Sequence, residues 1–256
     1  MGKGSSSLKG FGNEEFSLVR NHFIASMFAA AVAFPLVLAA QANKHPNPIR
    51  SWATASTPDF SGVWFIDEYR RTILPKEDPP FQPWAEELLK KRDYDNMHHD
   101  PDTSIDPTER CLPPGIPRTM FQPFPWEIVQ ARDRIIVIFE YQSLVRQIFM
   151  DGRGHPSDLE PTYMGHATGK FEGDTLVIDT VGFNDKTWLD PMGLPHSDAL
   201  HVIEHMRRVD HDTLEDTYTI DDPKAYTKPW TATRIFKLKP DWQIKEYVCT
   251  ENNTVK

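Results

Sequence analysis

The stretch 201-HVIEHMRRVDHDTLEDTYTI-220 decides the fold. Two runs, His201–Arg208 and Thr213–Ile220, mix β-branched and aromatic residues with polar ones in alternation, and Val209–Asp212 turns between them. Alternation with period two marks a strand with two unlike faces, and a short turn between two such runs marks an antiparallel hairpin. The same grammar extends in both directions. Glu127–Gln130 and Arg134–Tyr141 flank Ala131-Arg132-Asp133, and Leu144–Met150 follows Gln142-Ser143. Lys170–Phe171 and Thr175–Val181 flank Glu172-Gly173-Asp174, and Thr231–Leu238 and Gln243–Cys249 flank Lys239-Pro240-Asp241. With a first strand inside 58-PDFSGVWFIDEYR-70, about nine or ten strands result, joined by short turns. No strand–helix–strand alternation occurs, so the reading is all-β: an antiparallel up-and-down barrel, closed because closure removes exposed edges. A two-sheet sandwich is the alternative.

Trp84–Asn96 reads as the one short helix, with Pro83 suited to its first turn. Met97–Pro125 is rich in proline and carries Phe121 and Phe124, so it should cover a barrel mouth or flank. Residues 69–126 therefore form a long insertion, and residues 43–256 a single barrel domain. The 256 residues suffice for one sizeable core, and 22 prolines against 13 glycines suit long ordered loops better than a helix bundle. A net charge of −9 argues against nucleic-acid partners, which need a dense basic surface.

Phe23–Ala40 is an 18-residue apolar run after Arg20, followed by Ala40-Gln41-Ala42. That pattern predicts a signal peptide with an upstream extension over residues 1–42 and an exported, periplasmic or secreted, protein. The competing reading is an uncleaved membrane anchor, since the run could barely span a bilayer. Cys111 and Cys249 are the only cysteines, and in an exported chain two cysteines usually pair; two buried thiols are the alternative.

Gly62-Val63-Trp64 on the first strand resembles the G-x-W signature of lipocalins and related calycin barrels. That resemblance implies a calycin-like barrel in which an arginine from the last strands, Arg234 here, packs across the tryptophan. The segments 58-PDFSGVW, 169-GKFEGDTLVIDT and 247-YVCTEN also resemble a group of exported bacterial proteins of unassigned function, a likeness that implies no chemistry.

Three groups of residues could carry function. His201 and His205 share one strand face but lie about 13 Å apart at ~3.3 Å per residue, too far to share an ion, so no metal is predicted. The loop 151-DGRGHPSDLEPTYMGHATG-169 gathers Arg153, His155, Tyr163 and His166, suited to proton transfer, or else is simply solvated. Alternation also puts Arg146, Asp216, Arg234 and Glu246 on inward stripes, beside Phe139, Tyr141 and Tyr218. Buried charges must pair or meet a ligand, and Arg234 with Glu246 could close as an ion pair.

No phosphate loop, dinucleotide fingerprint or serine elbow is present, and no cofactor is expected. The functional expectation is a cofactor-independent enzyme of lyase, isomerase or cyclase type, acting on a small, partly aromatic molecule in a barrel cavity. His166 or His201 would be the base, Asp216 its orienter, and Arg146 with Tyr163 the oxyanion holders. Tyr141, Tyr218, His155 and Phe139 would contact substrate. The alternative is a lipocalin-like carrier of a small hydrophobic ligand.

Overall fold

The structure, a computed structural model, describes residues 57–74, 78–92 and 106–252. The expected signal segment over 1–42 lies outside them, as do residues 93–96 of the expected helix. Nine strands form one closed barrel in chain order: β1 (Gly62–Ile66), β2 (Trp126–Gln130), β3 (Arg134–Phe139), β4 (Val145–Phe149), β5 (His166–Glu172), β6 (Thr175–Val181), β7 (His201–Asp210), β8 (Thr213–Asp221) and β9 (Trp230–Leu238). Among the described residues of the insertion one α-helix forms, α1 (Pro83–Lys91), and a single turn, α2 (Cys249–Asn252), ends the described chain.

Eight of the nine neighbouring pairs are antiparallel, including β1 with β9, and β4 with β5 is parallel. An odd ring cannot alternate direction throughout, so one parallel pair is a geometric necessity. Parallel neighbours need a long connection. Here it is residues 150–165, the histidine-bearing loop. The parallel pair thus delivers that loop along the barrel's outer wall.

Inward positions are as the alternation predicts. Ile135, Val137 and Phe139, then Arg146 and Ile148, then Leu214, Asp216, Tyr218 and Ile220 are all buried. Leu176, Ile178 and Thr180 of β6 and Val202, Glu204 and Met206 of β7 join them. Trp64 and Trp126 face each other across β1 and β2, and Phe236 meets Trp126 edge-on at 5.0 Å. From the insertion, Ile73, Ala85, Ile116, Met120 and Phe121 pack into the same core.

Two features differ from expectation. Gln243–Cys249 forms no strand; Trp242 and Val248 are exposed and Glu246 faces solvent. The segment alternates like a strand, but β9 already pairs with β8 and β1, so no sheet edge is left to receive it. Arg234 therefore does not meet Glu246. It donates to the carbonyls of Thr72 and Thr233 and lies over Phe121. The arginine over Trp64 is Arg208, from the end of β7, with its guanidinium 5.3 Å from the ring. A disulfide joins Cys111 to Cys249 across 138 residues, pinning the end of the chain to the proline-rich segment. Such a bond suits an oxidising compartment.

Candidate functional site

Three strands place the candidate site on the outer wall. His166 opens β5 and His201 opens β7, with β6 between them. The register pairs Thr168 with Asp179 and Asp179 with Ile203, so Asp179 sits diagonally between the two histidines on the outward face. Diagonal cross-strand neighbours lie within reach of long side chains. The connection 150–165 lays His155 over them.

The result is a continuous relay. Asp179 Oδ1 lies 2.9 Å from His201 Nε2 and 3.0 Å from His155 Nε2. His155 Nδ1 in turn lies 2.8 Å from His166 Nδ1. A carboxylate only accepts, so both Nε2 atoms donate to it. A neutral His155 then has its lone pair at Nδ1, His166 donates Nδ1–H to it, and the lone pair of His166 falls on Nε2. Position thus dictates tautomer along the chain.

The site is sheltered but open: the side chains of His155, His201 and Asp179 are 24%, 32% and 44% exposed. Phe149 stacks on the His166 ring at 5.2 Å, and Arg153 lies 4.1 Å over Phe149. Burial, then the neighbouring His155, then Arg153 hold the His166 imidazole below its usual range, so it stays neutral at physiological pH. Because the ring nitrogens engage in series rather than converge on a point, no group of three or more His, Cys, Asp or Glu among the described residues has metal-holding geometry.

Behind this wall, inside the barrel, lies a second polar cluster. Arg146 crosses behind β5 to donate to both carboxylate oxygens of Glu204 on β7, one at 2.9 Å, and to Thr180 Oγ1 on β6 at 2.8 Å. β5 offers the small residues Ala167 and Gly169 inward at that level; a Cβ on Gly169 would come within 2.7 Å of Met150 and 2.8 Å of Ile148. Asp216 and Tyr218 are fully buried beside the pair, and neither the Asp216 oxygens nor the Tyr218 hydroxyl has a hydrogen bond of good geometry. Burial, then the charge of Glu204, push the Asp216 carboxyl well above the usual range, against smaller pulls from Tyr218 and Arg146.

The residues predicted from sequence thus fall into separate places. His155, His166 and His201 come together on the outer wall. Arg146, Asp216 and Tyr218 gather inside, so Asp216 does not touch a histidine. Phe139 is packed in the core. Tyr141 is buried against Phe124 at 4.9 Å and Tyr247 at 5.1 Å, at the turn between β3 and β4. Tyr163 is half-buried, with its carbonyl beside Gly115. His196 is buried between Thr187 Oγ1 and the Ser197 carbonyl, a structural role. The alternation in 175-TLVIDTV leaves Asp179 on an outward face, but its partners depend on the β6–β7 pairing across a long connection. No protein-family model matches the chain, and no curated protein matches it. At the coarse level, the closed barrel agrees with a calycin-like architecture.

Proposed function

We propose that this chain is an exported, cofactor-independent acid–base enzyme of lyase, isomerase or cyclase type, acting on a small, partly aromatic molecule at the outer wall of the barrel. The observation that carries the reading is the hydrogen-bonded series His166–His155–Asp179–His201, in which one carboxylate oxygen orients two imidazoles and the third is left with a free Nε2.

His166 Nε2 removes a proton from the substrate. As it does so, its Nδ1–H passes to His155 Nδ1, and the positive charge comes to rest on the ring that donates to Asp179. A base whose conjugate acid is stabilised by a fixed carboxylate is a stronger base in the transition state without being protonated in the ground state. His201, held by the same oxygen, presents Nδ1 on the far side of Asp179 and returns a proton when charged. Phe149, stacked on His166, gives an aromatic surface beside the reacting edge. The substrate site moves from the barrel interior, expected from sequence, to the wall outside it.

The test is turnover of a panel of phenolic and terpenoid compounds by wild type, His166→Gln, Asp179→Asn and, as a control in an exposed turn, His211→Gln. A positioned base contributes about 10²–10⁴-fold. The expected result is a loss of that order in His166→Gln and Asp179→Asn with His211→Gln unchanged; wild-type turnover in both site variants would remove the assignment.

A further inference from the structure

The segment that fails to become a tenth strand builds something else. Residues 239–249 form a strap over the outside of the barrel, held at one end by Lys239 N–H to the Val63 carbonyl and at the other by the disulfide to Cys111. Between these anchors, Lys245 N–H donates to Glu140 and Ser143 Oγ donates to the Tyr247 carbonyl. Under the strap lies a groove of about 390 Å³ lined by Pro125, Glu140, Asp241, Trp242, Gln243 and Lys245. That size suits a small ligand.

Trp242 is 46% exposed, unusual for the largest apolar side chain. Its orientation is fixed by Phe65, edge-on at 5.3 Å, and by the Lys239 ammonium 5.5 Å over the ring. Beside it, Asp241 and Gln243 make no side-chain hydrogen bond among the described residues, and Glu140 has one carboxylate oxygen uncommitted. The lining holds two carboxylates and a lysine, with Lys239 adjacent, so its charges balance and a neutral ligand fits better than an ion. Carboxylates accept, ammonium donates and the amide does both. Hydroxyl groups, each donor and acceptor at once, satisfy such a mixed set, and a ring with an apolar C–H face satisfies the indole.

We propose that this groove is a carbohydrate subsite, taking one pyranose ring stacked on Trp242 with its hydroxyls on Glu140, Asp241 and Gln243. It shares no residue with the histidine relay and stands or falls independently of it.

The test uses the folded chain with its disulfide intact, observing the Trp242 indole N–H resonance, assigned with Trp242→Phe. The probes are glucose, galactose, N-acetylglucosamine, maltose and cellobiose at millimolar concentrations, with glycerol as a hydroxyl control. A saturable shift with at least one sugar and none with glycerol is expected. Calorimetric binding should vanish in Trp242→Ala and weaken about tenfold in Glu140→Gln, as loss of one charge-assisted hydrogen bond implies. Circular dichroism identical to wild type shows both variants folded. No shift with any sugar, an equal shift with glycerol, or sugar binding untouched by Trp242→Ala overturns the proposal.

Discussion

Replacing Arg146 by methionine tests the interior of the barrel most severely. The guanidinium and Glu204 are 2% and 0% exposed, and both carboxylate oxygens of Glu204 accept from Arg146. Methionine keeps much of the volume, so the cavity contribution is small and the cost is mainly that of an unpaired buried carboxylate. Breaking a buried pair from one side costs about 3–5 kcal/mol. Against a total stability of about 5–15 kcal/mol this is a large fraction. At ~2–4 °C per kcal/mol for a chain of this size, the melting temperature should fall by about 6–20 °C. Urea unfolding at neutral pH is the assay. Replacing both partners, Arg146→Met with Glu204→Leu, should recover most of the loss, since apolar replacement of a buried pair is often neutral or stabilising. A single variant that loses under about 1 kcal/mol, or a double variant worse than the single, would falsify the paired-charge account.

Other consequences are equally direct. Asp216 has its folded pKa raised, so its contribution to stability is complete below its unfolded value of about 3.9 and is lost as pH rises toward the folded value. Asp216→Asn removes that loss, and its urea midpoint relative to wild type should climb between acid and mildly alkaline pH; a constant difference would contradict it. The imidazole of His166 should titrate below 6.5 by NMR, and should move upward in Arg153→Gln, which removes a neighbouring positive charge. Reduction of Cys111–Cys249 should destabilise by up to about 5 kcal/mol from loop closure alone, measured as a shift in denaturant midpoint with and without reductant.

Much of the barrel was legible because period-two alternation fixes which side chains face inward once a hairpin is recognised. The inward stripes of β3, β4 and β8 follow from alternation alone, with Arg146 and Asp216 on them. Residues 242–248 misled because alternation reports two unlike faces and not whether a partner edge exists; β1 had closed the ring. Arg208 was hidden for a related reason, since which arginine crosses Trp64 depends on how far β7 runs past its hairpin partner. At the site, three histidines were visible as residue types able to move protons. Their organiser was not, because Asp179 looks like any outward carboxylate until β5, β6 and β7 are aligned. An odd strand count requires a parallel pair somewhere in the ring, but does not say that it is β4–β5, which lays His155 over Asp179.

The relay itself is most directly tested by ¹⁵N-resolved imidazole NMR of the folded chain across pH. The expected spectrum shows His166 neutral and protonated on Nδ1 at pH 7, with Asp179→Asn altering the tautomer of both His155 and His201. A His166 imidazole protonated on Nε2 instead, or His155 and His201 tautomers indifferent to Asp179→Asn, would contradict the account.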